Sequence, residues 1–198
     1  AWNANGICAV RTKFKAEKDA KIRLVQLNLL SKNFRFINDV GAECEDNATA
    51  EILQLFIGGN ETYTGTKTTL LGRQSNLDLN VGYYCKDEQL LDMNYVAEHI
   101  GKKTVSSMNA GGVLRDKAHK LFRGTIDFPL GSSGAKGDEN EDVLILGEDV
   151  INQTVPLILC AEEDVEGNHG ASIGRPSDDV LFYLASRGLD EEEACNLM

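Results

Sequence analysis

Histidine and cysteine are the side chains best suited to hold a metal or a sulfur atom, and this sequence has three of the first and five of the second. The cysteines, Cys8, Cys44, Cys85, Cys160 and Cys195, are odd in number and widely scattered. No CxxC pair and no Cys/His cluster at zinc-finger spacing occurs. A disulfide framework is therefore not expected, most thiols should be inert and buried, and a reducing cytoplasm suits the set. His99 and His119 lie within or beside strand-like segments and read as structural. His169 differs in context: Glu166-Gly167-Asn168-His169-Gly170-Ala171-Ser172 reads as a glycine-bordered turn after the last strand. Small neighbours leave its imidazole accessible, and a neutral imidazole is a good ligand for iron or zinc.

Other chemistry is missing from the chain. It has no GxSxG elbow, HExxH, P-loop or dinucleotide-binding glycine fingerprint after a strand. The acidic groups Glu45-Asp46, Glu141-Asp142 and Glu162-Glu163-Asp164 could be read as glycosidase or polysaccharide-lyase carboxylates. Charged turns on a solvated surface are the simpler reading.

The elements that must position His169 are short and β-like. From about residue 20 to 165, candidate strands run at 21–27, 32–37, 51–57, 62–71, 77–84, 90–98, 104–108, 119–128, 143–146 and 155–160. Gly58-Gly59-Asn60, Gly72, Gly111-Gly112 and Gly131-Ser132-Ser133-Gly134 punctuate them. Many short strands without helical patterns between them predict an all-β body. A sandwich, a barrel or a stack of coils would each satisfy this spacing. Apolar segments near Leu53, Leu77, Met93, Phe122 and Leu144 recur at irregular steps of about 16 to 29 residues, which brackets the range of solenoid coils.

The last 22 residues change character. Ser177 is a good N-cap, Asp178 and Asp179 favour the first helical turn, and Val180, Leu181 and Leu184 form an apolar stripe that Gly188 ends. Asp190 with Glu193 has capping spacing and starts a second helix, cut off at Met198. The expected division is an all-β domain over 1–176 and the start of a helical domain over 177–198 that continues beyond it.

Composition narrows the classes further. With 42% apolar and 26% charged residues, the chain reads as a soluble globular protein rather than a disordered one. A net charge of −11 argues against nucleic acid or an anionic membrane as partner. No apolar run approaches the roughly 18 residues of a membrane span. The N-terminus lacks the pattern of a signal peptide, and without an initiator Met it reads as a processed or excised piece.

The stretch from Leu157 through Leu184 resembles the C-terminal signature of the SufB/SufD family of iron–sulfur cluster assembly scaffolds. The similarity rests on Glu163-Asp164-Val165, His169-Gly170-Ala171-Ser172-Ile173-Gly174 and Leu181-Phe182-Tyr183-Leu184-Ala185-Ser186-Arg187-Gly188. His99-Ile100-Gly101 with Thr104-Val105-Ser106, and Phe122-Arg123-Gly124-Thr125-Ile126, are similar to further family segments. The resemblance implies a right-handed parallel β-helix followed by a short C-terminal helical segment. It also implies a non-catalytic scaffold that works with SufC, an ABC-type ATPase, through the helical region over 177–198. There Leu181, Phe182, Tyr183, Leu184 and Arg187 are the expected contact residues, with part of the apolar set expected to pack onto the β-helix instead.

Departures from the family pattern refine the expectation. SufB proteins have Glu-His-Glu where this chain has Asn168-His169-Gly170, which favours a SufD-like reading. A cysteine implicated in SufB sulfur handling aligns with Glu141, and Gly167 stands where SufD proteins often place a cysteine. His169 is thus expected to contribute to a transient iron–sulfur cluster shared with a partner, a SufB-like or SufD-like paralogue or a second copy. Cys160 is the nearest further ligand in sequence. A β-helix carbohydrate-active enzyme and a purely structural β-solenoid are the competing readings.

Overall fold

At five corners that lead from an odd-numbered strand to the next even one, a left-handed residue turns the chain from one sheet to the other. Asp19, Asn47, Gln74, Lys103 and Gly134 all have positive φ, between 56° and 75°. Each donates its backbone N–H to the next coil, to the carbonyls of Asp46, Arg73, Lys102, Ser133 and Asp164, at 2.6–3.0 Å. From Asn47 onward, a small residue follows and fills the inner corner: Ala48, Ser75, Thr104 and Ala135 are fully buried. The corner recurs about every 28 residues, which is the length of one coil.

A computed structural model describes residues 4–190 together with 193, 194 and 197. Its strands are β1 (Gly6–Ala16), β2 (Lys21–Asn28), β3 (Phe34–Cys44), β4 (Thr49–Phe56), β5 (Glu61–Leu70) and β6 (Asn76–Cys85). They continue as β7 (Leu90–His99), β8 (Val105–Arg115), β9 (His119–Phe128), β10 (Ala135–Leu146), β11 (Ile151–Cys160) and β12 (Val165–Gly174). Odd strands form one six-stranded sheet and even strands the other, all pairs parallel. The molecule is therefore a parallel β-helix of two strands per coil, as the resemblance implies.

Side chains that point inward from the two sheets form the core. Tyr95, Phe122, Phe128, Ile52, Leu79, Met93, Met108 and Ile126 are fully buried, and each such side chain contributes about 1.5–3 kcal/mol. Part of the interior is polar. Thr62, Thr64, Thr66 and Thr68 all face inward from β5. Tyr95 donates to Gln54 Oε1 at 2.9 Å, and Gln54 donates to Gln26 Oε1 at 2.7 Å.

The body begins earlier and ends later than the strand pattern predicts. β1 precedes residue 20, β10 begins eight residues before Val143, and the stretch read as a turn around His169 is strand β12. β11 and β12 form the last coil. Each pairs on one side only, and most of their residues are exposed. Helix α1 (Asp178–Ser186) follows, capped by Ser177, whose side chain accepts the Val180 N–H. The expected capping exchange is present: Glu193 donates its N–H to Asp190 Oδ1 at 2.8 Å, and Asp190 returns its own to Glu193 Oε2 at 3.0 Å. None of the α1 residues is buried.

Candidate metal site at the end of the solenoid

The parallel register stacks His169 on a column of inward-facing residues. Leu24, Ile52, Leu79 and Met108 lead to Glu139 and then to His169. The column is apolar through four coils and turns polar in the last two. Because strand residues alternate between faces, His169 points into the lumen and not out from a flexible turn. Its side chain is 27% exposed, since nothing among the described residues covers the last coil.

Beneath it, Glu139 is 1% exposed, and its Oε1 has no hydrogen-bond partner. Its carboxylate rests on the bare backbone of Gly124 across the lumen, where a Cβ would fall inside the carboxylate atoms. His169 Nδ1 lies 3.6 Å from Glu139 Oε1. Burial, and then the charge of Glu141, push the Glu139 carboxyl up to about 7. A buried carboxyl raised to about 7 and set beneath an imidazole can take or release a proton, or ligate a cation.

Glu141, two residues further along β10, faces the same lumen and is fully enclosed. Lys120 Nζ donates to its Oε1, and Thr154 Oγ1 donates to its Oε2 at 2.6 Å. Lys120 also donates to Thr154 Oγ1 at 3.1 Å, and Tyr83 donates to Glu141 Oε1 at 3.5 Å. Burial lowers the pKa of Lys120, and the Glu141 carboxylate opposes the shift. The position aligned with the SufB cysteine thus carries an ion pair rather than a thiol. Glu141-Asp142 is accordingly no charged turn. The other two acidic groups do lie at corners: Asp46 Oδ1 accepts the Arg73 N–H at 2.7 Å, and Glu162 accepts that of Gly131 at 2.9 Å.

The remaining candidates are spread over the solenoid. Cys44 and Cys85 are buried, and desolvation pushes their thiols up to about 11 and about 12. Cys160 is exposed and donates to the Glu162 carbonyl at 3.1 Å. Gly124 pairs with Pro156, and Glu139 with His169, so His169 faces the Pro156 position. Cys160 is four residues beyond, about 13 Å of extended chain, and is not brought to the imidazole. Cys195 lies outside the described residues. His99 is buried between Thr104 Oγ1 (2.7 Å) and Ser106 Oγ (2.9 Å), and its ring packs 4.7 Å from Phe128. His119 Nε2 meets Gln153 Oε1 at 3.0 Å on the outer face. Among the described residues, no three His, Cys, Asp or Glu side chains converge into a complete metal site.

Sequence reasoning missed Glu139. It lies in Ala135-Lys136-Gly137-Asp138-Glu139-Asn140-Glu141, a polar run without the apolar alternation that marks a strand. The run was readable only by extending the Val143–Leu146 strand backwards by parity.

In α1, Phe182 is 77% exposed and Tyr183 is also exposed. Leu181, Phe182, Ala185, Leu189, Asp190 and Ala194 line a shallow groove. Arg187 donates to Tyr183 Oη at 3.3 Å, with its guanidinium 5.3 Å from the ring centre. No described helix is long and apolar enough to cross a membrane.

Comparison with known proteins identifies the family. The chain is 33% identical over 140 residues to the iron–sulfur cluster assembly protein SufD of Bacillus subtilis, covering 71% of this chain and 29% of that protein. It is 28% identical over 173 residues to SufD of Escherichia coli, covering 87% and 40%. SufB of Bacillus subtilis is 26% identical over 156 residues, covering 78% and 33%. The chain thus spans well under half the length of these relatives. All of residues 1–198 match the SufBD core domain of the SUF system for iron–sulfur cluster assembly, and the chain belongs to that family.

Proposed function

We propose that this chain is a SufD-like, non-catalytic scaffold subunit for iron–sulfur cluster assembly that works in the cytoplasm with a SufC-like ABC ATPase. The observation that carries the reading is His169, facing the lumen from a coil that no described residue covers, above the buried Glu139 carboxyl. The cluster is cargo, and it needs about four ligands, mostly thiolates. His169 supplies one, so the cluster is shared with a partner subunit.

That partner, a SufB-like or SufD-like paralogue or a second copy, docks on the last coil. Among the described residues β11 and β12 each keep one unpaired edge, and such edges are templates for another chain. β11 also exposes aliphatic side chains on both faces: Ile151, Val155, Leu157 and Leu159 outward, and Ile158 inward. A parallel strand apolar on both faces is one that is normally covered on both. The ATPase, which performs the hydrolysis, contacts Leu181, Phe182, Tyr183, Leu184 and Arg187. Support comes from the exposure of α1, which spends no side chain on the core of the solenoid.

In full-length protein assembled with its partners, His169→Ala should remove most of the iron and sulfide bound on anaerobic reconstitution, with the melting temperature unchanged. Unchanged iron and sulfide would leave His169 without a ligand role. Phe182→Asp in the same protein should weaken ATPase binding by about tenfold or more, because a charge replaces an exposed aromatic anchor. Unaltered affinity in a folded variant would remove Phe182 from the interface.

A further inference from the structure

We infer that Glu139 is a metal ligand alongside His169, so that the open end of the solenoid carries a two-donor half-site for a divalent first-row ion such as Fe(II). The inference deepens the reading of His169 given above and rests on it.

Three observations converge. Glu139 Oε1 is buried and lacks any hydrogen-bond partner. Buried polar atoms are normally paired, and an orphaned one calls for an occupant. The atom it faces is His169 Nδ1 at 3.6 Å, too far for a hydrogen bond between nitrogen and oxygen. Two bonds of about 2.1 Å to one tetrahedral ion span about 3.4 Å between donors, close to the observed separation. Thirdly, Gly124 leaves the space in which the carboxylate lies, since any side chain there would displace it.

The donor set suits the ion. Imidazole and carboxylate together favour Fe(II), Mn(II) or Zn(II) over Cu(I), which prefers sulfur. The nearby Glu141 carboxylate is already engaged by Lys120 and Thr154, so it is not a third ligand. The other coordination positions face the end of the solenoid that no described residue covers, where water or the docking subunit completes them. Iron held at this half-site is positioned to meet sulfur brought by a partner.

Co(II), which reports tetrahedral nitrogen–oxygen coordination by its visible absorption, and anaerobic Fe(II) are titrated into the full-length protein. The wild type should bind one ion per chain. Glu139→Gln, which keeps the shape and removes the charge, should weaken binding by about ten- to a hundredfold. His169→Ala should do the same, and Gly124→Ala should reproduce the loss by displacing the carboxylate although both donor residues are retained. Circular dichroism verifies that each variant is folded. Loss in His169→Ala with full affinity in Glu139→Gln and Gly124→Ala would overturn the proposal but spare His169 as a ligand. Full affinity in all three variants, or no binding by the wild type at millimolar ion, would overturn the half-site, while the iron and sulfide content of His169→Ala in the assembled complex decides separately whether His169 ligates the cluster.

Discussion

Lys120→Met is expected to destabilise the solenoid by about 3–5 kcal/mol, a large part of the stability of a domain this size. Lys120 and Glu141 are both fully buried and bonded to each other within the lumen. Two charges taken out of water cost several kcal/mol each, and their mutual attraction offsets this only while both are present. Removing the ammonium leaves Glu141 with donors from Thr154 and Tyr83 but no countercharge. The carboxylate must then protonate or draw in water, and either outcome is unfavourable near neutral pH.

The double variant Lys120→Met with Glu141→Leu separates this from ordinary loss of packing. With no charge left to bury, it should recover most of the lost stability, and the coupling between the two sites should be of the order of the single-site cost. Urea denaturation of the four proteins closes the cycle. A loss below about 1 kcal/mol in Lys120→Met would mean that the pair is already neutral in the fold.

These buried charges also explain what was legible in the sequence. Strand existence was readable wherever apolar and polar residues alternate, and His119–Phe128 was read to the residue. The first part of β10, before Val143, and all of β12 were not readable, because inward positions there are occupied by Glu139, Glu141, Gly167 and His169 instead of aliphatics. The coil length was obscured for a related reason. Apolar maxima arise from both sheets, so successive peaks mix half-coils with whole ones. The repeat is carried instead by left-handed corner residues, and these are Asp, Asn, Gln, Lys and Gly with no shared apolar signature. The residues that hid the last two coils are those that form the candidate site, which is where local pattern and function most often conflict. The fold came from the family resemblance together with the strand pattern. The partner of His169 required the register.

Acidification should destabilise the protein through His99, by up to about 3 kcal/mol between pH 7.5 and pH 4. His99 is enclosed, and burial lowers its pKa from the ordinary 6.5 to about 4. Thr104 donates to the Gly101 carbonyl, so its oxygen accepts from His99 Nδ1–H while Ser106 donates to Nε2. A neutral ring is thereby satisfied at both nitrogens, and protonation would oppose a second N–H to Ser106. The unfolded chain takes up the proton first as pH falls. The stability that His99 contributes is therefore fully present above about 6.5 and is lost as pH falls through about 4. Glu139, raised to about 7, works in the opposite direction over an overlapping window, and the exposed carboxylates add smaller slopes. The wild-type curve alone is thus a sum, and the difference from a variant isolates the histidine. His99→Gln carries no titrating group and has its own fixed cost at pH 7.5. Its deficit relative to wild type should shrink steadily below pH 6.5 and level off near pH 4. Parallel stability curves for the two proteins, measured by urea denaturation at half-unit intervals, would show that His99 is protonated as readily in the fold as in the unfolded chain.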